Sequence, residues 1–138
     1  MDEESVKFSS NGDAGLHWET QMGSYMKTNQ MVKGCPVFEQ VDKQEEEKQH
    51  FLFVGPDGRW RVGPDVASYS GSVLKHPKKN ARLPPKNGWL YYLDDKWKDA
   101  ESLSLTINIK DGRGKEEFVN HFSNYHLSNF VNKIIIIF

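Results

Sequence analysis

Cysteine is nearly absent from this sequence, because Cys35 is the only one in 138 residues. An intramolecular disulfide and a cysteine-based zinc cage are therefore excluded. Histidine does not replace it, since the five histidines lack the spacing of a metal site. His121 and His126, five residues apart, do not share a helical face as well as a spacing of three or four would allow. We expect no metal and no other cofactor.

Long apolar runs and a targeting segment are also missing. No window approaches the roughly 18 apolar residues of a membrane-spanning helix. The chain starts with the acidic segment Met1–Ser5, where a signal peptide would be basic and then apolar. Asn-x-Ser/Thr glycosylation sequons do not occur. We expect a soluble, cytoplasmic protein without membrane contact, which agrees with the single cysteine.

Neither sign of charge is in excess, since 18 Lys and Arg against 19 Asp and Glu leave a formal net charge of −1. No long-range field attracts nucleic acid, so we do not expect nucleic acid as a partner. The hydrophobic fraction is 37% and is concentrated in eight Phe, five Tyr and four Trp. Aromatic side chains bury large areas and suit strands, so a small β core can rest on few residues.

The clearest structural signal is a hairpin pattern at residues 51–62. The apolar run Phe51–Val54 precedes the tetrapeptide Gly55–Gly58, after which Trp60–Val62 alternates. Proline presets φ at the first central position of a turn and glycine supplies a positive φ near its end. A second unit of the same order follows at 89–97, and residues 102–109 then alternate apolar and polar side chains. We interpret the two units as a pseudo-repeat of hairpins.

These patterns predict a mainly β protein, a small antiparallel sandwich or partly open barrel built from hairpins. We expect a flexible or edge segment over residues 1–15, a β domain over 16–110 and a loosely packed or disordered tail over 111–138. Residues 116–130 are also compatible with a short helix. The prolines within residues 75–88 forbid a regular helix or a central strand there.

The residue order over positions 23–107, about three-fifths of the chain, resembles a β-rich module of multidomain invertebrate proteins. Its pattern is V-N-G-x-P-V-Y, then L-Y-Y, then W-x-V-G-x-D. Lys33 stands where the module usually has Asn, Cys35 where a basic residue is common, and Phe38 where Tyr is common. The resemblance implies a β fold and a recognition or scaffolding role, with no established reaction or ligand. The matching residues are Gly23, Tyr25, Val32, Gly34, Pro36, Val37, Phe38, Phe51–Phe53, Trp60–Asp65, Pro84 or Pro85, Trp89, Trp97 and Leu103–Ile107.

Aromatic residues of the hairpins form the first candidate ligand surface, because flat rings stack on sugars, prolines or bases. A small sheet with few apolar residues buries most of its aromatic rings, so the core is the favoured place for the three tryptophans. Alternation puts Tyr91 and Tyr92 on opposite faces, so one of them should be exposed. The candidates are Trp60, Trp89, Tyr91, Tyr92 and Trp97.

A basic connection between the two hairpins is the second candidate. Its cations lie within 12 residues and could hold phosphates or an acidic protein segment. The alternative, which we favour, is a solvated loop that keeps a near-neutral domain soluble. The cations are Lys75, Lys78, Lys79, Arg82 and Lys86.

No catalytic cluster is evident. Cys35 precedes Pro36 within an apolar stretch, so a small core or edge residue is favoured over a nucleophile. A nucleophile would need a sequence-distant base such as His50 or His76 within hydrogen-bond reach. Asp residues are concentrated in predicted turns, where they bond their own backbone.

We therefore predict a non-enzymatic protein-interaction or scaffolding module whose partner is a protein or a glycan. The alternative is carbohydrate or extended-ligand binding on an exposed aromatic platform. Coplanar exposed rings in a groove would favour that alternative, and wholly buried rings would argue against it. The oligomeric state is left open.

Overall fold

The computed structural model describes residues 2–41, 48–68, 70–110 and 116–120. A short helix, α1 (Asp13–His17), and a 3-10 turn, Glu19–Gln21, follow the first strand. The strands are β1 (Asp2–Ser10), β2 (Gly23–Val32), β3 (Cys35–Gln40), β4 (Phe51–Val54), β5 (Arg59–Gly63), β6 (Leu74–Lys79), β7 (Leu90–Leu93), β8 (Lys96–Asp99), β9 (Leu103–Lys110) and β10 (Glu116–Asn120).

All the described strands belong to one antiparallel sheet with the order β10-β9-β1-β2-β3-β4-β5-β6-β7-β8. The sheet curls into a half-barrel, which confirms the predicted partly open barrel of hairpins. Curling brings sequence-distant parts together: the rings of Phe8 and Trp89 meet edge to face at 5.1 Å. The N–H of Leu105 in β9 also donates to the carbonyl of Lys86, 3.0 Å away. Incomplete closure leaves β8 and β10 as edge strands of the described sheet.

Aromatic side chains fill the core, as the composition predicts. Each buries roughly 150 Å² or more, and at about 25 cal/mol per Å² that is about 4 kcal/mol of transfer free energy for each ring. A small sheet can therefore be stable with few apolar residues. The largest fully buried side chains are Trp60, Trp89, Tyr25, Phe8, Phe38 and Phe53.

Both predicted hairpins are confirmed. The β4–β5 hairpin pairs Phe51 with Gly63 and Val54 with Trp60 around the Gly55–Gly58 turn. The β7–β8 hairpin closes on a two-residue turn in which Asp94 and Asp95 have φ values of 54° and 63°. Two successive left-handed residues make the turn whose twist matches that of antiparallel strands, and aspartate tolerates this region better than most residues.

The amino-terminal segment differs from its prediction. Residues 2–10 form β1, which lies inside the sheet between β2 and β9 and buries Val6 and Phe8. The prediction of a flexible or edge segment over residues 1–15 is wrong for these residues. Only every second residue of a strand faces the core, and two apolar residues among charged and small polar ones were too few to show the period.

Strand β6 also differs from its prediction, since it lies inside the sheet although Pro77 belongs to it. It pairs with β7 only at Leu74 and Lys75, and its pairing with β5 shifts register between Arg59 and Arg61. Pro77 lies beyond the last β7 pair, so its missing N–H breaks no hydrogen bond with that strand. The prediction that prolines forbid a central strand is therefore wrong for residues 75–79.

Beyond residue 110, the structure describes only residues 116–120, which form β10 and pair with β9. The alternative of a helix over 116–130 is wrong for these five residues. The rest of the predicted tail, 111–115 and 121–138, lies outside the described residues. Strand β9 itself confirms the alternation at 102–109, since Leu103, Leu105 and Ile107 are buried.

Candidate functional site

The aromatic candidates separate onto the two faces of the sheet. Trp60, Trp89 and Tyr91 are buried, whereas Tyr92 and Trp97 are only partly buried. Alternation does place the two tyrosines on opposite faces, with Tyr91 in the core and Tyr92 outside it but partly buried. Of the predicted aromatic surface, the structure therefore leaves a single accessible pair.

The two buried indoles hold the chain between β6 and β7 against the sheet. The Trp60 indole N–H donates to the carbonyl of Ala81 at 2.9 Å, and the Trp89 indole N–H donates to the carbonyl of Pro85 at 2.8 Å. A buried N–H without a partner would cost about 1–3 kcal/mol. These tryptophans therefore position the basic connection and present no face to a ligand.

The accessible pair, Tyr92 and Trp97, does not form a flat platform. The ring centroids are 5.2 Å apart and the planes are inclined by 59°. The ammonium of Lys75 lies 4.4 Å from the centroid of the Trp97 ring and covers one of its faces. The Tyr92 hydroxyl is held by the carboxylate of Asp95, 3.3 Å away.

Lys75 belongs to a cationic cluster on the outer face of β5 and β6. Partial burial lowers the pKa of Lys75, and repulsion from Arg61 and Arg59 lowers it further, against the attraction of Asp57. Arg61 is the cross-strand neighbour of Lys75. The cluster joins the accessible aromatic pair to the turn between β4 and β5.

Asp57 organises that turn. Its carboxylate accepts hydrogen bonds from the Arg59 backbone N–H at 3.2 Å and from the guanidinium groups of Arg59 and Arg61 at 2.9 Å each. Burial alone would raise the pKa of Asp57, but the bonds from Arg61 and Arg59 outweigh it and lower the pKa to about 2. The aspartate is thus ionised at neutral pH and has a structural role.

Three connections meet at one end of the half-barrel. The Asn80 N–H donates to the carbonyl of Gly58 at 2.8 Å, which joins the β6–β7 connection to the β4–β5 turn. The Cys35 thiol lies 3.8 Å from the carbonyl of Arg82, which joins the same connection to the β2–β3 turn. Arg59 Nε donates to the carbonyl of Pro77 at 3.1 Å.

We call this region the basic end and define it by its five cations, which come from three separate parts of the chain. Asp57 is the one carboxylate within the three connections as the structure describes them, and it is paired with Arg59. The whole chain carries −1, so charge is distributed unevenly over the molecule. The cations are Lys33, Arg59, Lys78, Lys79 and Arg82.

The structure divides the basic loop predicted from the sequence. Lys78, Lys79 and Arg82 lie at the basic end and are exposed. Lys75 instead lies against Trp97, and the Lys86 backbone is bonded to β9. Lys33 and Arg59 were missed, because they are more than 15 residues away in sequence and only strand pairing brings them near. The turn sequence Lys33-Gly34 would have located a hairpin turn. It would not have shown that this turn lies at the same end of the half-barrel as the β4–β5 and β6–β7 connections.

His76 is one of the two bases considered for Cys35, and both of its ring nitrogens are hydrogen-bonded to backbone groups. Its Nδ1 accepts the N–H of Lys78 at 3.0 Å and its Nε2 donates to the carbonyl of Asn87 at 2.8 Å. The ring is therefore neutral with its proton on Nε2, and burial lowers the pKa of His76. A general base needs a free lone pair, so His76 does not support a cysteine nucleophile.

Comparisons with known proteins add no family to this description. No protein-family model, no curated protein and no solved structure matches the chain. The resemblance over residues 23–107 therefore stays a prediction. Within the described ranges, no cluster of His, Cys, Asp and Glu could hold a metal ion, and no helix is long and apolar enough to cross a membrane.

Proposed function

We propose that this chain is a non-enzymatic interaction module whose basic end binds an acidic, flexible segment of a partner protein. The observation that supports it most is the convergence of five cations from three separate parts of the chain on one end of the half-barrel. A solvated loop needs no such convergence, whereas recognition of an anionic partner does.

The expected affinity follows from the exposure of these cations. Lys78, Lys79 and Arg82 are exposed, and an exposed ion pair contributes about 0.2–1 kcal/mol. Lys33 is exposed as well, whereas Arg59 is already paired with Asp57. Four such pairs give about 0.8–4 kcal/mol, and 4 kcal/mol corresponds to a dissociation constant near 1 mM. We expect weak binding that weakens further with salt, because the Debye length is only about 10 Å at 0.1 M.

A protein segment is favoured over nucleic acid by the placement of the aromatic rings. Single-stranded nucleic acid is bound by cationic grooves that also stack bases on aromatic faces. Trp60 and Trp89, the indoles nearest the basic end, are buried and bonded to backbone carbonyls. Carboxylates need only the cations, which reach them with flexible side chains.

Glycan binding on an aromatic platform receives less support. Its requirement is coplanar, exposed rings, and Tyr92 and Trp97 are inclined by 59° with Lys75 over one face of Trp97. Sugar stacking on Trp97 would have to displace an ammonium group that already occupies that face.

The test is a titration of the full chain with a hexaglutamate peptide, in which NMR records the shifts of the backbone amides. The variant Lys79→Glu/Arg82→Glu reverses two charges at the basic end, and Lys7→Glu/Lys48→Glu reverses two exposed charges elsewhere. We expect the first to weaken binding at least tenfold and the second to change it less than threefold. Circular dichroism checks that both variants keep the β fold.

Three outcomes would overturn this proposal. The first is an equal loss of affinity in both charge-reversal variants, and the second is a set of shifted amides away from the basic end. The third is tighter binding of a single-stranded oligonucleotide than of the peptide at equal ionic strength, which would assign the basic end to nucleic acid.

A further inference from the structure

We infer a second binding site at the edge of β8, which no other described strand covers and which takes an extended acidic segment of a partner protein as an added antiparallel strand. This site goes beyond the basic end and shares no residue with it. The inference combines the position of β8 in the sheet, the backbone groups that β8 leaves free, and the charges of its side chains.

The free backbone groups follow from the pairing of β7 with β8. Antiparallel neighbours alternate between pairs that exchange hydrogen bonds and pairs that do not, and a two-residue turn closes on a bonded pair. Leu93 and Lys96 flank that turn, so Tyr91 and Lys98 form the next bonded pair. Trp97 and Asp99 therefore aim their N–H and C=O groups away from β7.

Two hydrogen bonds agree with this alternation of bonded and non-bonded pairs between β7 and β8. The Tyr92 N–H donates to the carbonyl of Val73, on the side away from β8, at 3.0 Å. The Ala100 N–H donates to the carbonyl of Trp89 at 2.9 Å, which continues the series of bonded pairs. Strand β8 thus presents two donors and two acceptors at an edge that no other described strand covers.

The edge is held in a defined conformation. Asp94 and Asp95 form a tight turn with left-handed φ values, and the Trp97 ring is fixed between Tyr92 and Lys75. A preordered edge loses little conformational entropy when a strand is added, which is why peptide recognition often uses sheet edges.

Side-chain alternation indicates which sequence fits. Lys96 and Lys98 are exposed and point to one face of β8, while Trp97 and Asp99 point to the other. Residues directly opposite one another in an antiparallel pair are close enough to interact. The partner strand should therefore have acidic residues opposite the two lysines, an apolar residue opposite Trp97 and a basic residue opposite Asp99.

A second copy of this chain does not fit the same edge. Two β8 strands related by a two-fold axis, with their faces aligned, place Lys98 opposite its own copy or Lys96 opposite Lys98. Like charges directly opposite one another are destabilising, and edge lysines are a known protection against self-association. Repulsion between lysines therefore disfavours pairing of β8 with a second β8, whereas an acidic strand is attracted to the same edge.

The experiment titrates the full chain with the peptide acetyl-Thr-Lys-Glu-Val-Glu-Thr-amide. Bound antiparallel, this peptide places Val opposite Trp97, Lys opposite Asp99 and Glu opposite each lysine of β8. One N-methylated form blocks the amides of Lys and Val, which would face the edge, and a matched form blocks the amides of both Glu, which would face away. The readouts are amide shifts and hydrogen-exchange protection at Trp97 and Asp99.

We expect shifts confined to β7 and β8, at least tenfold weaker binding of the Lys/Val-methylated peptide and a less than threefold change for the Glu-methylated one. The variant Asp99→Pro removes one outward donor at an edge position that tolerates proline, and it should weaken binding more than Asp99→Ala, which removes only the side-chain pair with the peptide Lys. The variant Lys96→Glu/Lys98→Glu should bind a peptide with Lys in place of Glu.

The inference would be overturned if the two methylated peptides bound equally, or if the shifts appeared at the basic end, which would mean attraction of acidic residues alone. Concentration-dependent dimerisation that Lys98→Glu abolishes or strengthens would assign the edge to a second copy instead. A negative result at β8 would not contradict the proposed function of the basic end. The variant that tests the basic end, Lys79→Glu/Arg82→Glu, changes no residue of β8.

Discussion

The ammonium of Lys75 lies 4.4 Å from the centre of the Trp97 ring and thereby joins β6 to the edge strand β8 across β7. The contact accounts for a tryptophan that is neither in the core nor fully exposed. It also means that Trp97 differs in environment from Trp60 and Trp89, which are enclosed and bonded through their indole nitrogens.

The first prediction concerns the exchange of indole N–H protons with deuterium. The Trp60 and Trp89 protons should exchange at least 100-fold more slowly than that of Trp97, because they are buried and bonded to carbonyls. NMR measures the rates, and Trp97→Phe assigns its signal. Exchange of Trp60 as fast as that of Trp97 would contradict the placement of this ring in the core.

The second prediction concerns His76 and pH. Burial lowers the pKa of His76 in the folded chain below its usual value near 6.5, so the unfolded chain binds the proton more readily. The stabilising contribution is complete above about pH 6.5 and is lost as pH falls below it. Urea unfolding at pH 7.5 and pH 5.5 measures this loss.

The control for that prediction is a pair of histidine variants. In His76→Gln the free energy of unfolding should depend less on pH between 7.5 and 5.5, while His17→Gln, at an exposed position, should keep the wild-type dependence. An unchanged dependence in His76→Gln, or nitrogen shifts showing a proton on Nδ1, would refute the assignment.

The third prediction concerns Asp57. Asp57→Asn removes a charge that receives hydrogen bonds from both Arg59 and Arg61, and hydrogen bonds to charged groups contribute about 1.5–3 kcal/mol. We expect unfolding by urea at pH 7 to show a loss of about 1–3 kcal/mol. Asp13→Asn, in the first turn of α1, serves as the control and should lose less than about 0.5 kcal/mol.

Acid should remove the same contribution from the wild-type protein. The pKa of Asp57 is lowered to about 2 in the folded chain, so its contribution is present above about pH 4 and is lost as pH falls towards 2. The difference in the free energy of unfolding between the wild type and Asp57→Asn should therefore decrease as the pH falls from about 4 to about 2. A constant difference would show that the substitution acts through the turn and not through charge.

The fourth prediction concerns the turn between β2 and β3. Lys33 has a φ of 53°, a region that costs a non-glycine residue about 1 kcal/mol and that asparagine tolerates better. Lys33→Asn should therefore raise the free energy of unfolding by about 0.5 kcal/mol. Lys33→Gln removes the same charge without that conformational advantage, so equal effects of both substitutions would attribute the change to charge alone.

Local pattern was enough for much of the fold. The hairpin at residues 51–62, the hairpin at 89–97 and the strand within 102–109 all follow from turn chemistry and alternation, which act over a few neighbouring residues. Two interior strands were not predicted, because β1 has too few apolar residues to show a period and β6 contains Pro77. In both, pairing with neighbouring strands outweighs local propensity.

The candidate sites show the same division. Composition determined that an aromatic core was needed and that no disulfide could help, and strand alternation determined that Tyr91 and Tyr92 would face opposite ways. Only the tertiary structure decided that Lys33 and Arg59 join the basic connection and that β8 is an edge of the sheet as far as the chain is described. The physical reason is range: turn and strand preferences depend on adjacent residues, whereas shared ends and free edges depend on how distant strands pair when the sheet curls.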